Sequence, residues 1–140
     1  MKRKSASRTS RASAARRPAG ESSRLWLRVD LGGDHKLGPG KIRMLELIDE
    51  HGSIRGAGAE MGMSYRRAWL LVDEINACFR EPCVRKQHGG SAGGGALLTP
   101  FGKELAWRYR EMERAATHAL ADHLRVLDRA VRRKGVRDSA

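Results

Sequence analysis

The residues best placed to do chemistry in this chain are Ser64, Tyr65, Arg66 and Arg67, which follow a glycine turn and open a helical pattern. Arginine can donate two hydrogen bonds to a guanine edge, and tyrosine can contact phosphate or a base edge. The segment 52–69 has the order of a helix-turn-helix, whose second helix enters the major groove of DNA with its first residues. These residue types at this spacing predict binding to duplex DNA.

Two further residues complete the predicted contact set of this segment. Ser53 can cap the first of the two helices and Ser64 the second, with Gly62 allowing the backbone to reverse between them. Trp69 follows Tyr65 by one turn on the same predicted face. The apolar positions of the second helix fall on the other side: Ala68, Val72 and Ile75. Three alternatives stay open. The helix pair could be an ordinary helical hairpin with solvated arginines. The tryptophan could pack against a core, or it could brace the wing while its edge faces DNA.

A glycine-rich segment downstream, QHGGSAGGGALLTPFG, predicts the tip of a β-wing between strand candidates 83–87 and 96–98. Glycine lets the backbone approach the sugar-phosphate chain closely. The segment lacks the Lys-Ser/Thr ending of a phosphate-binding P-loop, so we expect no nucleotide site. A passive hairpin linker is the alternative. The predicted DNA-binding residues are Ser53, Ser64, Tyr65, Arg66, Arg67, Trp69, Arg85, Lys86, His88, Gly90, Gly93 and Gly94.

Other reactive side chains do not form a recognisable site. Cys78, Cys83 and His88 lack the spacing of a zinc finger and a fourth ligand, so buried free cysteine is the better interpretation. No nucleophile, base and orienting group can be assembled from the sequence. We therefore expect no metal, no cofactor and no catalytic residues, and a protein that is not an enzyme.

The elements that would position these residues are mainly helices, with a small β-wing and a long C-terminal helix. Residues 25–31 alternate apolar and polar residues, which predicts a half-buried strand. Pro39 suits the first turn of a helix that Gly52 ends, and Thr99-Pro100 suits the start of the last helix. The predicted domains are a disordered basic tail over 1–23 and one helix-turn-helix domain over 24–135.

The last helix, about residues 100–134, carries an apolar row longer than a small domain can cover. Its members recur every three or four positions: Phe101, Leu105, Tyr109, Met112, Ala116, Leu120, Leu124, Leu127 and Val131. Pairing with a second copy of the chain would bury the far half and predicts a homodimer. The alternative is that the row folds back on the N-terminal strand of its own chain.

The charge of the chain agrees with a polyanionic partner. The net charge is +12 over 140 residues, and residues 1–24 carry eight basic residues against one acidic residue. Such a tail is an electrostatic arm or simply solvated disorder. No apolar run approaches the about 20 residues that span a bilayer, and no apolar segment follows the basic N-terminus as in a secretory signal. Two cysteines make no disulfide framework, so we expect a cytoplasmic protein without a membrane partner.

Two segments of the chain resemble a known family. GSIRGAGAEMGMSYRRAWLLVDEIN and then GGSAGGGALLTPFGKEL are similar to the N-terminal winged-helix domain of the molybdate-dependent transcriptional regulators (ModE). The shared pattern is a Gly-Ser-Ile start at residue 52, a Ser-Tyr-x-x-Ala-Trp helix at residue 64 and a Gly-rich wing ending in Leu-Thr at Thr99. The LysR-type winged helix is a more distant match. The resemblance covers about residues 25–125.

The resemblance implies a dimeric DNA-binding regulator with dimer contacts along the N-terminal region and the last helix. Full-length family members carry C-terminal molybdate-binding domains, which this sequence does not show, so we carry over no molybdate sensing. The prediction is a transcriptional regulator bound as a homodimer to an inverted-repeat operator in double-stranded DNA. The rival prediction is a nucleic-acid-binding or architectural protein without sequence preference.

Overall fold

The computed structural model describes residues 22–87 and 95–132. The predicted tail up to residue 21 and the wing positions 88–94 lie outside the described residues. The described chain is mainly helical, as expected, and it has two small antiparallel sheets. Its elements are β1 (Val29–Gly32), β2 (His35–Leu37), α1 (Pro39–His51), α2 (Ile54–Glu60), α3 (Tyr65–Ala77), β3 (Val84–Gln87), β4 (Gly95–Leu98), α4 (Pro100–Ala119) and α5 (Ala121–Ala130).

The predicted strand over 25–31 is wrong in its bounds. Pairing begins only at Val29, and β1 forms a hairpin with β2, a strand that we did not expect. The preceding residues keep the alternating exposure of the sequence pattern but pair with no strand within the described chain. They lie along α4 instead, where the hydroxyl of Tyr109 donates to the carbonyl oxygen of Leu27 at 2.5 Å. A helix thus takes the place of the neighbouring strand.

The core is built around α1, which begins with Pro39 in its first turn as expected. Its buried side chains meet apolar residues of α2, α3, the β3–β4 hairpin and α4 in one cluster. Burial of each large apolar side chain contributes about 1.5–3 kcal/mol. The buried residues of α1 are Ile42, Met44, Leu45, Leu47 and Ile48.

Helices α2 and α3 pack against each other and are joined by a short turn. The Ser53 hydroxyl oxygen accepts the amide hydrogen of Gly56 at 2.9 Å and caps α2. The Ser64 hydroxyl oxygen accepts that of Arg67 at 3.1 Å and caps α3. Between them Gly62 has a φ of +72°, a left-handed conformation that glycine adopts without steric cost. The predicted caps and reversal are confirmed.

The β3–β4 hairpin is held against the helices at its base. Val84 pairs with Leu98 and Gln87 with Gly95 in a regular antiparallel register, close to the predicted strands. The amide of Ala96 also donates to the carbonyl oxygen of Gly52 at 2.9 Å, which joins β4 to the turn between α1 and α2.

Helix α4 starts from a buried threonine, as the Thr99-Pro100 pair predicted. The Thr99 hydroxyl donates to the carbonyl oxygen of Pro82 at 2.7 Å and accepts the amide hydrogen of Gly102 at 3.0 Å. At the residue after Tyr109, the guanidinium of Arg110 donates to both carboxylate oxygens of Glu46, at 2.7 and 2.9 Å. These bonds fix α4 across α1.

The expectation of one helix over about 100–134 is wrong. The helix is interrupted at Leu120, and α5 ends at Ala130, with Val131 and Arg132 outside it. No residue of α5 is buried in the described structure, so the core that α4 packs on does not continue past Leu120. At its end the backbone amide of Ser23 donates to a carboxylate oxygen of Asp128 at 2.5 Å, which brings the N-terminal segment beside α5. No helix of the described residues is long and apolar enough to cross a membrane.

The close approach of α4 to the loop before β3 gives a stability prediction. A Cβ on Gly102 would lie 2.2 Å from the carbonyl oxygen of Cys83, which is backbone and cannot swing away. We expect Gly102→Ala to lower the free energy of unfolding by about 3 kcal/mol, the upper part of the usual overpacking range. The control is Gly40→Ala in α1, where the added methyl meets no atom within 4 Å and should be neutral or stabilise by up to about 1 kcal/mol. Urea unfolding measures both, and equal stability of the two variants would contradict the close approach.

Candidate nucleic-acid interface

The first two turns of α3 present the basic and aromatic side chains that the sequence predicted as contacts. Tyr65 is 43% exposed, and Arg66 and Arg67 beside it are exposed. The opposite face of the helix is the predicted core face, with Ala68, Val72 and Ile75 all buried.

The side-chain charge along α3 changes from positive to negative in the second half of the helix. Asp73 and Glu74 are both exposed there. Two carboxylates repel a phosphate chain. A nucleic acid can therefore approach the beginning of α3 but not its full length, and this agrees with contacts made by the N-terminal residues of such a helix.

Trp69 was expected on the face of α3 that points away from the core, but it is not exposed there. It is half-buried and packs against the core cluster. The edge of its ring system meets Tyr65 at a centroid distance of 6.1 Å and an interplanar angle of 86°, and the ammonium nitrogen of Lys86 lies 3.7 Å from its ring centroid. Trp69 thus packs against the core and also contacts the first strand of the hairpin, which agrees both with the packing alternative and with the alternative in which it braces the wing. The cause is the hairpin, whose first strand covers this side of α3.

Arg55, in the first turn of α2, is a basic residue that the sequence analysis missed. The central carbon of its guanidinium lies 4.3 Å from the ring centroid of Tyr65, and its side chain is exposed. The only signal in the sequence was a basic residue two positions after the Ser53 cap. Its place beside Tyr65 follows from the packing of α2 on α3.

The two capping serines have their oxygen atoms engaged by amide hydrogens, Gly56 for Ser53 and Arg67 for Ser64. A hydroxyl that accepts in this way still has its own hydrogen to donate. Ser64 is exposed and Ser53 is half-buried, so a contact with phosphate is open to both and easier for Ser64.

The hairpin brings only part of the predicted wing residues to α3. Arg85 and Lys86 are both exposed but, as neighbours on a strand, they point to opposite faces of the sheet. Lys86 pairs with the buried Ala96 and faces Trp69, whereas Arg85 pairs with the exposed Leu97 and faces away. The remaining predicted residues, His88, Gly90, Gly93 and Gly94, lie outside the described part of the chain.

Asn76 ties the start of β3 to the last turn of α3. Its side-chain oxygen accepts the amide hydrogens of Cys83 at 2.8 Å and Val84 at 3.1 Å, and its side-chain nitrogen donates to the carbonyl oxygen of Val84 at 3.2 Å. With the Lys86–Trp69 contact, the hairpin is held to α3 at two levels. The orientation of Lys86 relative to Arg66 and Arg67 is therefore fixed.

The cysteines behave as packed side chains. Burial, together with the nearby Cys78 thiol, raises the pKa of the Cys83 thiol to about 11, so it stays protonated at neutral pH. The Cys78 thiol donates to the carbonyl oxygen of Glu74 at 3.2 Å. In the ranges that the structure describes, no group of three or more His, Cys, Asp and Glu residues is arranged to hold a metal ion.

The Asn76 bonds predict a local loss of stability. Asn76→Ala leaves the amides of Cys83 and Val84 without their acceptor, and we expect the free energy of unfolding to fall by about 2 kcal/mol. Amide exchange at these two positions should speed up before that of the core of α1. Asp73→Ala, on an exposed site of the same helix, is the control and should change stability by less than about 0.5 kcal/mol. Unchanged exchange at both amides would show that Asn76 does not hold the strand.

Comparison with known proteins gives several relatives. The chain is 39% identical over 94 residues to the molybdenum-pterin-binding protein MopA of Rhodobacter capsulatus, which covers 67% of this chain and 36% of the relative. It is 37% identical over 91 residues to the molybdenum transport protein ModE of Azotobacter vinelandii, covering 65% and 33%. It is 33% identical over 87 residues to the DNA-binding transcriptional dual regulator ModE of Escherichia coli K12, covering 60% and 33%.

These matches span about a third of the length of the curated relatives, and no family model matches the chain. The resemblance to ModE proteins is confirmed as sequence similarity. The chain is therefore similar to proteins that are named for molybdenum binding, molybdenum transport and transcriptional regulation.

Proposed function

We propose that the chain is a winged helix-turn-helix protein that binds duplex DNA as a transcriptional regulator, in the cytoplasm and without catalytic activity. The observation that carries the proposal is the exposed start of α3, with Tyr65, Arg66 and Arg67, together with Lys86 of β3, which lies over Trp69 on the same helix. In this proposal α2 and α3 are the helix-turn-helix, β3 and β4 are the wing, and α3 reads the major groove.

Electrostatics supports a nucleic acid as the partner. The net charge of +12 gives a large favourable interaction with phosphates, and counterion release makes such binding fall steeply with salt. This charge alone would serve sequence-independent binding equally well. The capped, core-packed start of α3 favours the specific function, because base readout needs side chains on a rigid element.

The relatives support the same function. The Escherichia coli relative is named as a DNA-binding transcriptional regulator. The similarity spans only about a third of that protein, so we do not carry its other properties over to this chain. We propose the DNA-binding role because the exposed start of α3 supports it, and we leave molybdenum out of the proposal.

We further propose that the DNA-bound form is a homodimer that pairs through the last two helices. Val126 is 56% exposed, Leu127 55% and Val131 47%, and α5 has no buried residue within the described structure. The N-terminal segment reaches α5 through Ser23 but leaves these three apolar side chains exposed. A second copy would cover them and set two α3 helices for half-sites about one helical turn apart.

Selection of bound sequences from random duplexes tests the regulator function directly, and we expect an enriched inverted repeat. Arg66→Ala should then weaken binding to the selected site by roughly 1–3 kcal/mol and to random DNA by less, if the arginine contacts a base. The matched control is Arg80→Ala, an exposed arginine beyond the end of α3. The absence of any enriched motif, with tight binding to all duplexes, would favour the rival architectural function.

The dimer is tested by light scattering. We expect the intact chain to have twice the mass of one chain and Leu127→Asp to have the mass of one, because a buried carboxylate at a dimer contact is strongly unfavourable. Thr117→Asp places the same charge on an exposed site of α4 outside the apolar row and should stay dimeric. An intact chain that is monomeric and still binds its selected site tightly would refute the homodimer.

A further inference from the structure

Two aromatic side chains of α3 each make a cation–π contact with a basic side chain of another element. The guanidinium of Arg55 lies 4.3 Å from the Tyr65 ring centroid, and the ammonium nitrogen of Lys86 lies 3.7 Å from that of Trp69. The two rings touch edge to face, one helical turn apart. The four side chains form a continuous row, Arg55–Tyr65–Trp69–Lys86, which we call the cation–aromatic row.

The cation–aromatic row runs along one face of α3, from Tyr65 to Trp69 one helical turn later. Arg55 belongs to α2 and Lys86 to β3, so one positive charge lies at each end of the row. Both cationic side chains are exposed, whereas Trp69 between them is half-buried and packed on the core. One side of each cation rests on a ring and the other remains open to solvent.

A basic side chain that already rests on an aromatic ring loses less conformational entropy on binding phosphate than a basic side chain without such a contact. Long basic side chains lose rotamer freedom when they are ordered at an interface, and this loss opposes binding. A ring that already orders the cation removes part of that loss. The attraction to the ring leaves the net charge of the cation intact, so counterion release on contact with phosphate is unchanged.

We propose that Tyr65 and Trp69 are positioning residues that hold Arg55 and Lys86 as phosphate contacts at the two ends of the cation–aromatic row. The inference rests on the proposed binding to duplex DNA. It adds Arg55 to the interface, and it gives Trp69 the role of supporting a phosphate contact rather than reading a base.

The measurement is the slope of log Kobs against log salt concentration for a fixed duplex. Each lost phosphate contact lowers the magnitude of this slope by about 0.9 on B-form DNA. We expect that decrease for Arg55→Gln and for Lys86→Gln, with the ratio of specific to random affinity unchanged. Lys36→Gln removes the same charge from the exposed β2 position and should leave the slope at the wild-type value.

The role of Trp69 is separated from a merely structural one by a double-mutant comparison. Trp69→Leu should weaken binding at a fixed salt concentration, because Lys86 then loses rotamer freedom when it contacts phosphate, and it should weaken binding no further in a Lys86→Gln background. Trp69→Phe keeps a ring under the ammonium and should retain most of the affinity. Thermal unfolding of each variant confirms that it is folded under the conditions of the assay.

The outcomes separate this inference from the function on which it rests. A wild-type chain without salt-dependent binding to duplex DNA overturns the proposed function. A wild-type chain that binds, while Arg55→Gln and Lys86→Gln keep its slope, overturns the phosphate contacts alone. Losses of affinity that add up in the Trp69→Leu, Lys86→Gln double variant overturn the positioning role alone.

Discussion

The candidate interface depends most on the hydrogen bonds that the side chain of Asn76 makes with the start of β3. By accepting the amides of Cys83 and Val84 it sets the position of the loop that precedes β3. The carbonyl oxygen of Cys83 then receives the amide of Thr99 at 2.9 Å, and Gly102 passes directly over it. One amide side chain thus places both the hairpin and the start of α4.

The consequence continues along α4. Once its first turn is fixed at Thr99, the helix crosses α1, where Arg110 meets Glu46 in a two-point ion pair. The contact of Tyr109 with Leu27 then fixes the N-terminal segment on the same helix. Apolar burial brings these elements into contact but does not fix their relative orientation, because it is non-directional. The hydrogen bonds at partly buried positions are directional and therefore set that orientation.

The surface divides into two regions with different physical character. Around the start of α3, arginine, lysine and aromatic side chains are exposed together, and the acidic pair Asp73 and Glu74 marks where this region ends. Along α5 the exposed side chains include an apolar row. The first region is suited to a polyanion and the second to an apolar surface. A DNA-binding dimer would use both at once, since pairing along α5 leaves the start of α3 free.

The sequence alone determined the features that depend on neighbours in the chain. Pro39, Ser53, Gly62, Ser64 and Thr99 act within one helical turn or one reversal, so their caps and turns were predicted correctly. The core face of α3 was also predictable, since it follows from helical periodicity.

Only the tertiary structure decided the features that join distant segments. The N-terminal segment lies along α4 instead of in a longer strand, because its partner is Tyr109, 82 positions away. The break at Leu120 occurs where the core ends, and an apolar pattern that continues past it does not reveal that end. Likewise Trp69 looked exposed by periodicity and is half-buried because β3 packs over it, and Arg55 joins the interface because α2 packs on α3. Periodicity describes one helix at a time, whereas these contacts depend on which elements meet.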